Sequence, residues 1–541
     1  MKSPLPDVTI PTEHGLAHVL LDRMQKFGSR TALIDALTHR KLTYVELRQV
    51  VLQLAGFLCG HGLTNNHLVL MACQNTIDFP VVFLALSYLG ITVSTVNPRA
   101  KPGELWRLML DCEPDYVVVT DTDVKNRIKN VMKEHKNLHI KEIFIVGSGS
   151  YPEYLDIEGL LKEEFHSSMC HHQHIIDVRH QVAALLYSSG TTGLPKGVML
   201  SHYNILANIF QISHLVFRSP FAISNQQDTI MASLPFYHVY GLTIIQLCNL
   251  FSGNKLVVLP TFNLDTFLSA IEMYKVSFVY LVPPIAIQLI KDPRVSRYNL
   301  SSITSLFSGA APISIELIKQ IKKHLHIYDI RQGYGMTETS PGVLHPPLGH
   351  VKLGSVGIPL PNTEVKVVDP DTKMSLGSNQ NGEIWIRGPQ VMIGYHNSPD
   401  VSQQSIDSDG WLRSGDIGYY DEEGFFYIAG RLKEIIKYKG YQVSPNEIEA
   451  VLLTHPAVAD AAVIGIDDEV AGQLPRAYVV PKSNHTPSAS DIMQYVAREL
   501  MEYKKLRGGV EFINQIPRSP SGKVLRQVLH QLVKLNPTSR L

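Results

Sequence analysis

Tyr187-Ser-Ser-Gly-Thr-Thr-Gly-Leu-Pro-Lys-Gly-Val198 decides how this chain is read. Before it runs Val182-Ala-Ala-Leu-Leu-Tyr187, apolar and of strand length. Six small or hydroxylated residues follow, Ser188, Ser189, Gly190, Thr191, Thr192 and Gly193. The two glycines permit tight backbone angles. The hydroxyls add donors beside the backbone N–H groups, and Lys196 adds a cation. A loop of this kind wraps a phosphate chain, because phosphate oxygens need many donors at close approach. It is not a Walker A loop, since Lys196 stands between Pro195 and Gly197 instead of in Gly-Lys-[Ser/Thr]. Taken alone, a Gly/Ser/Thr cluster also fits a flexible surface loop.

The chain around it has 541 residues, 45% hydrophobic and 18% charged, enough for several cores and more than one domain. Lys+Arg and Asp+Glu both count 49, so no basic field points to nucleic acid. Five scattered cysteines without a Cys-x-x-Cys pair argue against a disulfide framework. The first ten residues lack a signal-peptide core. Val239–Phe251, the most apolar long run, is too short to span a bilayer and reads as a buried helix.

Upstream of the loop, helical and strand-like segments alternate. Leu47, Val51, Leu54 and Leu58 recur at helical spacing; Leu68–Ala72, Thr92–Val96 and Tyr116–Thr120 read as strands, and Phe79–Leu89 as a buried helix. This alternation predicts a parallel sheet with helical crossovers. Cys170, His171, His172 and His174 lack a second ligand pair at a recognisable spacing and read as a solvated loop. Downstream, Ser201-His-Tyr-Asn204 starts a helix. Gln332-Gly-Tyr-Gly-Met-Thr-Glu-Thr339 reads alone as a glycine turn into a helix. Asp421-Glu-Glu-Gly424 reads as a hairpin turn, not a metal site. Ser444-Pro-Asn-Glu447 predicts a capping box with Pro at the first helical position. Strands over 461–466 and 476–480 and a helix over 489–503 follow.

Tyr187–Val198 resembles the AMP-binding signature of the adenylate-forming superfamily, which includes acyl-CoA synthetases, coumarate–CoA ligases, firefly luciferases and peptide-synthetase adenylation domains. Later stretches match that family's motifs in order, so the resemblance covers nearly the whole chain. It implies an α/β fold: a large multi-subdomain N-terminal AMP-binding domain over 1–432, and a small mobile α+β domain over 433–541, hinged near Lys433. By the resemblance Ser188, Ser189, Gly190, Thr191, Thr192 and Lys196 hold phosphate. Gln332 and Gly333 belong to the ATP/AMP site; Tyr334 offers a ring face for adenine, Thr337 a hydroxyl for the α-phosphate, and Glu338 a carboxylate for Mg²⁺, for which one or two protein carboxylates suffice. Asp416 takes the ribose hydroxyls with its two acceptor oxygens, joined by Arg431. Phe236-Tyr-His-Val-Tyr-Gly241 resembles the acyl-pocket segment, which places His238 and Tyr240 at the substrate, beside Gly309 and Ala310. Lys437 faces the active site in the thioester-forming state, with Lys439, Gly440 and Gln442 toward CoA. Lys523, in Pro517-Arg-Ser-Pro-Ser-Gly-Lys-Val524, matches the mobile lysine of adenylation. The family's Asp before the ribose Arg is Gly430 here, and its CoA-contacting Lys near position 261 is Thr261.

The implied activity is an ATP-dependent acid–CoA ligase. It makes acyl-AMP and pyrophosphate, then acyl-CoA and AMP, with ATP, Mg²⁺ and CoA as cofactor and cosubstrates. The acid is expected to be fatty or aromatic. A luciferase-like monooxygenase using the same first step is the alternative; the pocket segment is closer to the ligases. Ser539-Arg540-Leu541 resembles the peroxisomal Ser-Lys-Leu address, which implies an import receptor as partner and a peroxisomal, lipid-directed role, with the cytoplasm otherwise.

Overall fold

Ala183, Ala184, Leu185 and Leu186 are all at most 2% exposed, so the strand Val182–Ser188 is buried on both faces. A continuous apolar run is what a strand covered on both sides requires. In the computed structural model of the chain this strand pairs parallel to Thr92–Thr95 and antiparallel to Lys196–Ser201. The structure describes residues 1–135, 137–147, 154–162, 176–188, 195–214, 226–439, 441–483, 485–519 and 522–535.

The sheet holding Val182–Ser188 has eight strands, in the order Gly394–Tyr395, Lys196–Ser201, Val182–Ser188, Thr92–Thr95, Leu68–Ala72, Tyr116–Val119, Glu142–Val146 and Tyr154–Leu155. Its upstream strands are parallel, as the alternation predicts. Val182–Ser188 and Lys196–Ser201 are antiparallel neighbours, with Ser188 opposite Lys196, and Lys196 starts the second of the two strands. A second sheet of seven strands runs Asp329–Gln332, Ser305–Ser308, Phe278–Leu281, Thr229–Ala232, Lys255–Val258, Thr31–Asp35 and Lys41–Thr43.

One hydrophobic cluster joins these two sheets through helices Leu16–Met24, Tyr44–Gly60, Phe79–Tyr88, His202–Ile212 and Tyr240–Cys248. Leu47, Val51, Leu54 and Leu58 are the core stripe of Tyr44–Gly60, and Thr43 with Glu46 caps it reciprocally. Ser201 and Asn204 make the same arrangement at His202–Ile212. Tyr240–Cys248 is π-wound and wholly buried. An antiparallel four-stranded sheet, Glu364–Val368, Gly382–Arg387, Leu412–Tyr420 and Phe426–Arg431, completes the large part together with a small three-stranded sheet.

The C-terminal part has its own sheet, Tyr441–Val443, Ile436–Tyr438, Gly472–Pro481 and Val458–Asp468, with Val510–Phe512 pairing Gly472–Pro481. Ile448, Val463, Val479, Ile492 and Val496 pack on one face of it, and Ile464, Tyr478, Ile516 and Leu529 on the other. Two sequence expectations fail here. Ser444 precedes Pro445–Leu452 but makes no cap; its hydroxyl donates to the Ala429 carbonyl at 2.5 Å, and Glu447 pairs with Lys504. The helix expected to reach residue 503 ends at Glu499, and Glu502–Lys504 is a separate 3₁₀ turn. Asp421 does sit in a turn, accepting from the Phe425 N–H and pairing with Lys352.

Candidate active site

Strand ends and turns of the large part meet the last loop of the small one around a cleft of about 380 Å³. Ser188 leaves its strand at this cleft. Its hydroxyl donates to Glu338 Oε1 at 3.1 Å, and the Tyr395 hydroxyl donates to the same oxygen at 3.0 Å. Glu338 lies in the 3₁₀ turn Thr337–Thr339 and is 7% exposed, so this carboxylate is held by hydroxyls and little by bulk water. Lys196 lies over the Tyr395 ring at 5.1 Å. Ser189, Gly190, Thr191 and Thr192 lie outside the described residues.

Tyr334 donates its phenol proton to Asp416 Oδ2 at 2.6 Å, and Arg431 Nε pairs with Asp416 Oδ1 at 3.0 Å. The register of the paired strands sets Asp416 opposite Arg431. Burial, helped by the Asp416 charge, holds the Tyr334 phenol well above its ordinary range, so it stays a donor. Gly333 is required at its place: a Cβ there would stand 2.5 Å from the Phe307 ring. Gln332 does not reach the cleft. Its Oε1 accepts from the Ile313 N–H at 2.7 Å, so it fixes the backbone beyond Ala310.

His238 and Tyr240 stand where the π-helix begins, and both line the cleft. The Tyr240 N–H donates to His238 Nδ1 at 3.3 Å, which leaves Nε2 to carry the proton of the neutral ring. Burial, with Lys523 nearby, pushes His238 down to about 4. The imidazole is therefore a neutral donor at working pH, not a cation. Gly309 and Ala310 also line the cleft, and a Cβ on Gly309 would stand 2.9 Å from the Tyr240 ring. Phe307, Leu344 and His345 line the cleft as well. Val343 belongs instead to the core beneath it.

Lys523 comes from the small part. Its loop is stapled by Arg518, which pairs with Asp460 at 2.8 Å and donates to the Gly522 carbonyl at 3.0 Å. The Lys523 N–H donates to Ser519 Oγ. Lys523 and Ser519 line the same cleft as Arg431 and Glu338. Burial, with Arg431 beside it, lowers the Lys523 pKa. Lys437 does not line this cleft. It is exposed on the hairpin of Ile436–Tyr438 with Tyr441–Val443, where Lys439 is also exposed; Lys433 is likewise exposed. Gly440 lies outside the described residues, and Gln442 is placed only by its backbone pairing with Lys437.

Two contributors escape sequence reading. Tyr395 reaches Glu338 across 57 positions. Asp111 accepts from the Tyr187 hydroxyl at 2.7 Å, while its carbonyl accepts from His396 and Asn397, so it ties the strand Val182–Ser188 to the residues that follow the Gly394–Tyr395 edge strand. Among the described residues no cluster of three or more His, Cys, Asp or Glu forms a metal site, and no helix is long and apolar enough to cross a membrane. Residues 170–174 and Ser539, Arg540 and Leu541 lie outside the described residues.

The profile of the AMP-binding enzyme family matches residues 20–396, and that of the AMP-binding enzyme C-terminal domain matches residues 447–523. The chain is 38% identical to a probable CoA ligase, CCL5, of Humulus lupulus, over 99% of this chain and 95% of that one. It is 36% identical to 4-coumarate-CoA ligase 1 of Narcissus pseudonarcissus, over 98% and 95%. Its fold superposes on ATP-bound MatB from Rhodopseudomonas palustris with a TM-score of 0.85 at 26% identity, over 96% of this chain and 99% of that one. o-Succinylbenzoate CoA synthetase (MenE) from Bacillus subtilis, solved with the acyl-adenylate OSB-AMP, gives 0.78 at 26%, over 96% and 98%. This chain belongs to the AMP-binding enzyme family.

Proposed function

We propose that this member of the AMP-binding enzyme family is an ATP-dependent acid–CoA ligase that works through an acyl-adenylate. The observation that carries the reading is the convergence of Lys523 from the small part with Glu338, Arg431 and His238 of the large part on one cleft. Ligation of a carboxylate brings two anions together, and cations with fixed donors must offset their repulsion. The named CoA ligases align with this chain along nearly its whole length, which supports CoA as the second acceptor.

In the first step a carboxylate oxygen of the acid attacks the α-phosphorus of ATP, and pyrophosphate leaves. Lys523 stabilises the charge on the α-phosphate and the entering oxygen, while the neutral His238 donates to the acid. Tyr334, Asp416 and Arg431 hold the nucleoside. Glu338 fits a Mg²⁺ site, because Mg²⁺ takes one or two protein carboxylates and fills its shell with phosphates and waters. Glu338 Oε1 accepts from Ser188 and Tyr395, and no hydrogen bond occupies Oε2 among the described residues. When bound, Mg²⁺ offsets phosphate charge and orients the leaving group. In the second step the CoA sulfur attacks the acyl carbon, the thiol proton is released, and AMP departs with the carboxylate oxygen.

The arrangement with Lys523 inside and Lys437 outside is the one the first step needs. Exchange of the two by rotation of the small part about Lys433 provides the second. Pyrophosphate release from ATP with a panel of fatty and aromatic acids, with and without CoA, tests the reading. CoA-dependent turnover is expected. Turnover indifferent to CoA would point to another fate for the adenylate, such as oxygenation.

A further inference from the structure

Asp111 stands in the last turn of the helix Pro102–Cys112 and does not itself line the cleft. It holds two chain segments that reach Glu338. Its Oδ2 accepts from the Tyr187 hydroxyl at 2.7 Å, and its main-chain carbonyl accepts from His396 Nε2 and Asn397 Nδ2, each at 3.1 Å. Tyr187 precedes Ser188, and His396 follows Tyr395. Ser188 and Tyr395 are the residues whose hydroxyls donate to Glu338 Oε1. One residue thus anchors the chain neighbour of each donor.

The backbone adds two ties among the same segments. The His396 N–H donates to the Gly197 carbonyl at 2.7 Å, next to Lys196, and the Met392 N–H donates to the Glu338 carbonyl at 2.9 Å. These bonds are main chain and survive any side-chain change. The Tyr187–Asp111 bond joins two side chains 76 positions apart. Its acceptor is a carboxylate, and hydrogen bonds to an ionised acceptor are roughly twice as strong as neutral ones. A strand end held in this way offers the next residue in one orientation. A freed end samples several, and the Ser188 bond to Glu338 must then be made against that lost freedom.

We propose that Asp111 is a positioning residue for Glu338: by anchoring Tyr187 it orients the Ser188 hydroxyl, and with it the carboxylate that fits Mg²⁺. The inference rests on the assignment of Glu338 to Mg²⁺ within the ligase reading and extends that assignment to a residue outside the cleft. The acceptor oxygen of Asp111 is what acts, not its charge. The amide oxygen of an asparagine supplies the same acceptor. Asp111→Asn therefore separates geometry from electrostatics, and Tyr187→Phe removes the donor while keeping the ring.

The test measures ATP binding by calorimetry without acid, so that nothing turns over, at saturating Mg²⁺ and again with the metal chelated. It uses the full chain and its Asp111→Ala, Asp111→Asn, Tyr187→Phe and Glu338→Gln variants. In the unaltered chain Mg²⁺ is expected to tighten ATP binding, and Glu338→Gln to remove most of that gain. Asp111→Ala and Tyr187→Phe are expected to weaken binding with Mg²⁺ by about fivefold, the scale of one hydrogen bond. Without metal they are expected to bind ATP as the unaltered chain does, and Asp111→Asn to match it in both conditions. Equal weakening with and without metal would overturn the inference, because a merely structural role acts on both. So would Asp111→Asn binding as weakly as Asp111→Ala, or no weakening in Asp111→Ala and Tyr187→Phe. A Mg²⁺ gain left intact by Glu338→Gln would remove Glu338 from the metal and the inference with it. The ligase reading fails separately, in the turnover assay with CoA, which this binding measurement does not use.

Discussion

Tyr334 and Asp416 act as one unit: the phenol proton of the first is held 2.6 Å from Oδ2 of the second, and Arg431 holds Oδ1. The ring that would lie against adenine and the carboxylate that would take the ribose are thereby fixed to each other. A hydrogen bond to a charged group contributes about 1.5–3 kcal/mol. Tyr334→Phe is therefore expected to raise KM for ATP on the order of tenfold and leave KM for the acid within about twofold. Steady-state kinetics with each substrate varied in turn would check this, and a change confined to the acid would contradict it.

Glu338 receives two hydroxyl donors on one oxygen, from Ser188 and Tyr395. Glu338→Gln keeps the shape and removes the charge. Adenylation by the variant is expected to need much higher Mg²⁺ for half-maximal rate and to fall by about 10²-fold at saturation. A Mg²⁺ titration of pyrophosphate release reads both values. Identical Mg²⁺ curves for the two proteins would remove Glu338 from the metal.

Two buried groups set the pH dependence. Burial, with Lys523 beside it, pushes His238 to about 4, so the ring is neutral throughout the working range. No kinetic limb from this histidine is expected near pH 6.5. Lys523 has its pKa lowered by burial and by Arg431. Its cation exists below that pKa and is lost as pH rises through it. Adenylation should then decline on an alkaline limb below the ordinary lysine value of about 10.4. Lys523→Arg should abolish that limb, because a guanidinium keeps its proton.

Gly241 is a packing requirement, not a chemical one. A Cβ there would stand 1.9 Å from the Pro235 carbonyl oxygen, a backbone atom that a side-chain shift cannot clear. Gly241→Ala is expected to lower stability by about 1–3 kcal/mol, the scale of overpacking a buried site. The loss would appear in thermal unfolding before any effect on substrate binding. An unchanged Tm would show that the start of the π-helix yields easily.

Much of this was legible in the sequence because local pattern and tertiary role coincide. The run before Ser188 is apolar at every position and becomes a strand buried on both faces. Leu47, Val51, Leu54 and Leu58 recur at helical spacing and become the buried stripe of Tyr44–Gly60. Where a partner lies far along the chain, pattern fails. Tyr395 carries no local mark, and its value comes from an edge strand pairing with Lys196–Ser201. Ser444 has the spacing of a cap, yet its hydroxyl is taken by Ala429, on the last strand of the preceding sheet. Gln332 stands in the motif, and only the fold reveals that its amide turns to the Ile313 backbone.

The central claim is that one small domain serves two half-reactions with two different lysines, of which Lys523 now lines the cleft and Lys437 does not. The direct measurement follows both half-reactions in Lys523→Ala and Lys437→Ala: pyrophosphate from acid and ATP, and acyl-CoA from supplied acyl-adenylate. Lys523→Ala is expected to lose about 10²–10³-fold in adenylation while keeping thioester formation, and Lys437→Ala to show the reverse. Equal losses in both half-reactions for both variants would contradict the exchange of lysines.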